Sequence, residues 1–389
     1  MPNSQSPRPG ALDIVLTPYP NPAANPGKGQ KKVVLLVHGA SASRHTFEQK
    51  SPGLIGYLNG QTRSKNVEPA QVYALDWRSS LETADALVSG HPPQRDGELF
   101  TLDAAVEDLA NALARVAKAA EVDEAEIRIV GHCIGGALVA QAIAGGRCDC
   151  RHVVLSALGL FFKVGVEGWF KGNDFVLEDE LANSVDRKEA GPTYPIDGRI
   201  ISANVAHEPK KYAWPAALEE RYRFWLGSGL HHGCGNRFCE RISFMYGMPF
   251  RLDDIGYLHD QPGGLEGQFG SMPLGIYAHC LRNLRRGWAA PYDAVEGEER
   301  AFVDEEARQK FAGRRVTLIT GNENQVWHRN SMDLMHEWLG NGAALPDLEL
   351  RKHVLRDYGH QDLYWSTNAP RDVYPLIAQG LGLWQQGRP

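Results

Sequence analysis

Residues 127–136 read IRIVGHCIGG, and no other segment restricts the fold as much. A short apolar run, Ile127–Val130, leads straight into a glycine-flanked turn, and an Ala-rich apolar stretch follows to about Ala144. Strand, sharp turn and helix in immediate succession suit a nucleophile held at a strained bend, which needs small residues two places before and two places after it. Gly131 and Gly135 stand in those places around Cys133. They would let the turn's backbone pack against neighbouring strands. A thiol there sits at a helix N-terminus, where unpaired N–H groups and the helix dipole favour thiolate. The plainer reading is a buried structural cysteine beside a tight turn.

The rest of the chain repeats the alternation. VVLLV at 33–37 and QVYALD at 71–76 read as buried strands. Leu102, Ala105, Val106, Leu109, Leu113 and Val116 have helical spacing behind a Thr101 cap. Strand patterns recur at 152–158, 315–320 and 348–355, with helices expected near 330–339 and 371–384. This predicts an α/β fold with a mostly parallel sheet flanked by helices. Residues 1–30, rich in Pro, Asn, Ser and Gly, read as a flexible arm with one short strand at 11–16. The core is expected from 31–158 and 311–389. Residues 159–310, aromatic-rich with few strand patterns, are expected to form a large, mainly helical cap inserted into it.

Composition narrows the function. The formal charge of -6 lacks the basic footprint of nucleic-acid binding, and no apolar run reaches the roughly 20 residues of a membrane span. Six cysteines in 389 residues are too sparse for a disulfide framework. The N-terminus shows no apolar secretory core. A cytoplasmic protein with free thiols is expected.

An acyl-transfer site around Cys133 needs two backbone donors, a base and an orienting group. The amide of Ile134 follows the nucleophile directly, and His38-Gly39-Ala40 after VVLLV offers the amide of Ala40 as second oxyanion donor. His360, in DYGHQD after the last strand, has the position in chain order required of the base. The loop after 315–320 reads Gly-Asn-Glu-Asn, without Asp, so Glu323 and Asn324 are the candidates for the third member. Glu323 is preferred because a carboxylate both orients imidazole and stabilises its cation. Asp357 and Asp362 are the alternatives.

Taken in order, LDWRSS at 75–80, FTLD at 100–103, GHCIG at 131–135, RISFMYG at 241–247, GNEN at 321–324, YGHQD at 358–362 and DVYP at 372–375 resemble one group of α/β-hydrolase proteins. These are the hydrolase domains associated with cholesterol-oxidase-like flavoproteins of the glucose–methanol–choline family. The resemblance spans about residues 33–380. It implies the α/β-hydrolase fold, a cysteine at the bend and the GNEN segment at the acid position. No G-x-G-x-x-G follows a strand pattern here, so no flavin or other cofactor is expected.

The expected chemistry is cleavage of an ester, thioester or lactone through an acyl-Cys133 intermediate, on a small hydrophobic acyl or cyclic substrate. GHCIGG also resembles the box of polyhydroxyalkanoate synthases, so acyl transfer to an alcohol is one rival. A binding protein without turnover is another. HHGCGNRFC at 231–239 has no standard zinc spacing, and no metal is expected; its thiols read as cap-stabilising, with a conditional disulfide as an option. Cys148 and Cys150 read as incidental. Of the cap aromatics Trp169, Phe170, Tyr222, Phe224, Trp225, Phe244, Tyr246, Tyr257 and Tyr277, most are expected in its core and a subset facing Cys133.

Overall fold

The computed structural model describes residues 14–20, 32–49, 53–61, 66–80, 101–165, 168, 200–202, 216–228, 234–261 and 264–385. Trp169, Phe170, His231, His232 and most of the expected arm lie outside them.

Seven strands form the main sheet in the order β1 (Val15–Tyr19), β3 (Gln71–Asp76), β2 (Val33–Val37), β4 (Ile127–His132), β5 (His152–Ser156), β8 (Arg315–Gly321) and β9 (Glu349–Leu355). Only β1 runs antiparallel to its neighbour, pairing Val15 with Asp76. The other five pairings are parallel. A parallel sheet covered on both faces needs strands that are apolar on both sides, and all five residues of β2 are buried. The first strand lies four residues later than its expected start, since Thr17 and Tyr19 pair with β3.

Helix Leu102–Ala120 begins as its cap predicts, the Thr101 hydroxyl accepting from the Ala104 amide. Helix Ile134–Ala144 is buried on every face, the property of a helix enclosed within the core rather than one lying on it. Together with the packed strands it places the bend at Cys133 on a rigid base. The expected single helix over 371–384 divides into Ala369–Asp372 and Tyr374–Gly380. Pro375, which has no N–H for a helical bond to residue 371, accounts for the restart. Trp384 leaves the helix to bridge Val67.

Between β5 and β8 the described elements are mostly helices: Ala216–Gly227, Arg237–Tyr246, Leu252–His259, Leu274–Arg286 and Glu305–Gln309. Two short strands, β6 (Ile200–Ser202) and β7 (Ser271–Pro273), pair antiparallel among them. No described helix is long and apolar enough to cross a membrane.

Candidate active site

Cys133 occupies the bend between β4 and the Ile134 helix with φ 57 and ψ -128, a left-handed value that a non-glycine residue adopts only under constraint. The constraint comes from the glycines. A Cβ on Gly135 would lie 2.4 Å from the carbonyl oxygens of both Val37 and His38, and one on Gly131 would lie 2.6 Å from that of Gly135. Across the sheet, Gly39 brings its backbone so near that an added Cβ would meet that of Cys133 at 2.8 Å.

The sulfur is surrounded by donors. The Trp327 indole N–H donates to it at 3.3 Å, and the backbone amides of Ile134 and Ala40 lie close enough to favour its anion. The loop carrying Ala40 is held by the LDWRSS segment. Trp77 donates from its indole to the His38 carbonyl at 3.0 Å, Ser79 accepts from the Ser41 amide at 3.1 Å, and Asp76 accepts from the Arg44 amide and guanidinium. Arg78 closes the arrangement with a buried two-point ion pair to Asp108, both contacts at 2.7 Å.

Burial pushes the Cys133 thiol up to about 11 despite the lowering effect of Trp327, Ile134 and Ala40. Here the structure departs from the expectation of a thiolate at a helix N-terminus: the cost of desolvating the anion outweighs the three donors. His360 shares the cavity with Cys133 and is held well below the usual histidine range, first by burial and then by His132. The two rings lie 4.7 Å apart. Both members of the pair therefore rest neutral.

Nothing among the described residues accepts a hydrogen bond from His360 Nδ1. Glu323 is half exposed and faces the Arg251 guanidinium at 3.7 Å; the structure does not bring it to His360. Asn324 is buried, but its side-chain oxygen accepts from the Val326 and Trp327 amides, both at 3.1 Å, which fixes the segment that carries the Trp327 indole. Asp357 is exposed at a left-handed turn, its amide on Asn322. Asp362 is buried and accepts from the Gly359 and Arg251 amides, clamping the His360 loop from behind. None of the four carboxylate or amide candidates is hydrogen-bonded to the imidazole.

Three contributors were not read from the sequence. Trp327 had no motif to announce it. His132 sits inside the GHCIGG motif, and its ring reaches that of His360; its Nδ1 pairs with Ser156 Oγ, which also meets Tyr364. Gln361 lines the cavity beside His360.

The cavity above the sulfur is largely apolar. Met245, Phe269, Met272, Leu281, Leu284 and Val326 line it, most of them from the segment between β5 and β8. Tyr246 and Tyr277 are the aromatics of the expected subset that reach it. Tyr246 is tied to Ser41 and Tyr277 to the Met245 carbonyl. Tyr222, Trp225 and Phe244 instead pack on one another, and Phe224 is exposed.

The sequence pattern described as the alpha/beta hydrolase family matches residues 34–376. No curated protein matches the chain in sequence. Among solved structures, the Bacillus coagulans carboxyl esterase superposes with a TM-score of 0.54 at 13% identity, covering 95% of this chain and 92% of its own. The Saccharomyces cerevisiae monoglyceride lipase gives 0.52 at 11% identity, covering 95% and 91%. The Paleococcus ferrophilus monoacylglycerol lipase gives 0.50 at 13%, covering 95% and 100%. At such identities the likeness is one of fold.

Proposed function

The chain belongs to the alpha/beta hydrolase family, and on that footing we propose that it hydrolyses an ester, thioester or lactone through an acyl-Cys133 intermediate. One observation carries the reading: Cys133, at a positive-φ bend between strand and helix, lines one mainly apolar cavity together with Ala40, Ile134 and His360. A small hydrophobic acyl or cyclic substrate suits that lining. Residues 159–310 serve as the cap that supplies most of it.

Because thiol and imidazole both rest neutral, His360 removes the S–H proton as the sulfur attacks the carbonyl carbon, rather than beforehand. The negative charge moves to the carbonyl oxygen, where the Ala40 and Ile134 amides receive it. Collapse expels the alcohol or thiol, which takes the proton from His360. Water, deprotonated by His360, attacks the thioester, and the sulfur leaves with the proton restored. The working unit is a Cys133–His360 pair. Asn324 acts through Trp327, and Glu323 braces Arg251.

The test is a panel of nitrophenyl esters, acyl thioesters and lactones, with intact-protein and peptide mass spectrometry on the quenched enzyme. The expected result is an acyl adduct on the peptide holding Cys133 and a loss of turnover of about 10³-fold or more in Cys133→Ala. Turnover that survives this substitution would sink the proposal. An extended ester product in place of free acid would move the reading to acyl transfer.

A second reading, a binding protein using the same cavity, is favoured by a His360 Nδ1 with no partner among the described residues and by the high resting position of the thiol. It predicts apolar ligand binding unchanged in Cys133→Ala and no adduct with any ester.

A further inference from the structure

We propose that Cys234, Cys239 and His259 form a zinc site, apart from the Cys133 pocket, that pins two helices of the segment between β5 and β8. Ligand atoms of the three side chains all lie within 4.8 Å of one another. Tetrahedral ligands about 2.3 Å from a zinc ion are about 3.8 Å apart, so the cluster needs little contraction to close on one. Both sulfurs belong to free thiols.

The histidine is the informative member. Its Nδ1 meets Asp260 Oδ1 at 2.7 Å, which fixes the proton on Nδ1 and leaves the lone pair on Nε2. That nitrogen is buried and without a hydrogen-bond partner among the described residues. A carboxylate on one ring nitrogen, with the other turned to soft ligands, is the arrangement that orients metal-bound histidines. A simple disulfide between the two cysteines would need no third group so prepared.

The backbone has already assembled the corner. Asn236 caps helix Arg237–Tyr246 by accepting from the Phe238 and Cys239 amides, and its amide nitrogen donates to the His259 carbonyl at 3.1 Å. Cys234 and Cys239 thus sit at the start of one helix and His259 at the end of the next, Leu252–His259. Two thiolates, a neutral imidazole and a divalent cation sum to zero charge, a combination that tolerates burial. Binding releases the two thiol protons to solvent. The ligand softness selects zinc over magnesium or calcium, and water completes the four-coordinate shell.

Helix Arg237–Tyr246 delivers Met245 and Tyr246 to the cavity at its far end, about 10 Å from Cys239 at 1.5 Å per residue. The metal would therefore fix the origin of a helix whose other end shapes the pocket. The spacing Cys-x4-Cys gave no hint, because His259 arrives from a separate helix 20 residues on.

The experiment uses the reduced full-length protein and zinc or cobalt(II) alone, and reads no enzymatic activity. Stripped protein is loaded with zinc, desalted and measured for metal. About one equivalent, with Cys234 and Cys239 protected from alkylation, is expected. Cobalt(II) should give tetrahedral visible bands and a thiolate-to-cobalt charge-transfer band. Cys133→Ser should leave these bands intact, and Cys234→Ser, Cys239→Ser or His259→Gln should weaken them. The wild-type loading is decisive should those variants fail to fold. Folded, reduced protein that retains less than about a tenth of an equivalent, a cobalt spectrum abolished by Cys133→Ser, or a Cys234–Cys239 disulfide that persists under reducing purification would each overturn the proposal.

Discussion

Trp327 donates its indole N–H to the sulfur of Cys133 at 3.3 Å, linking the loop after β8 to the bend after β4. A hydrogen bond to a sulfur that gains negative charge is strengthened as the charge develops, and bonds to charged groups are worth about 1.5–3 kcal/mol. Trp327→Phe keeps the ring and removes the donor. We expect kcat/KM for the best ester of the panel to fall about 10- to 100-fold, with the pH for half-maximal alkylation of Cys133 moving upward. An unchanged alkylation profile would mean that the indole merely packs against the sulfur.

Glu323 and Asn324 separate cleanly by experiment. An acid that orients the base of a catalytic triad costs about 10⁴-fold in kcat when neutralised. Glu323 faces Arg251 instead, so Glu323→Gln should change kcat/KM by no more than about 3-fold. Asn324→Ala frees the Val326 and Trp327 amides and should reproduce most of the Trp327→Phe loss. A loss above about 10³-fold in Glu323→Gln would restore the triad reading.

The contrast between these two residues shows where sequence reading stops. β2, β3 and the bend at Cys133 were legible because continuous apolar runs and paired glycines leave the backbone little choice. The Gly-Asn-Glu-Asn loop gives no such pattern. Which of its side chains turns inward depends on two contacts that no residue pattern displays, the sequence-distant Arg251 outside and the nearby Trp327 amide inside. The resting state of the thiol was likewise hidden. The helix N-terminus is visible in the sequence, but most of the apolar residues around the sulfur come from 245–284, brought over it only by folding.

Buried neutral histidines set the acid limit of stability. Burial holds His132 down to about 3 and His279 down to about 4, and lowers His38 and His360 as well. His279 is fixed neutral from both sides, accepting from the Leu102 amide at 3.1 Å and meeting the Ala290 carbonyl at 2.8 Å. A histidine whose folded pKa is depressed binds its proton more readily unfolded, near pH 6.5. Stability from these groups is therefore complete above that pH and is lost as pH falls below it, by about 1.4 kcal/mol per pH unit for each. Urea midpoints at pH 7.5 and 5.5 should show a marked fall, and the fall should be smaller in His279→Gln. Equal midpoints at the two pH values would contradict the burial of these rings as neutral species.

Asp362 holds the loop of His360, the proposed base, without a hydrogen bond to its ring. Its carboxylate is buried and accepts from the Gly359 amide at 2.8 Å and the Arg251 amide at 3.1 Å, which joins the His360 loop to the start of helix Leu252–His259. Both amides point to the same oxygen, Oδ2, which an Asn amide oxygen could replace, so the test is Asp362→Ala, which leaves both without their acceptor. The expected cost is about 2–4 kcal/mol in urea unfolding at pH 7.5. With His360 less firmly placed, kcat should fall more than KM changes, because the base matters in the transition state and little in binding. The two readouts separate the roles. A stability loss with kcat intact would make Asp362 a structural clamp alone, and a variant within about 0.5 kcal/mol of wild type would mean that the Gly359 and Arg251 amides find other acceptors.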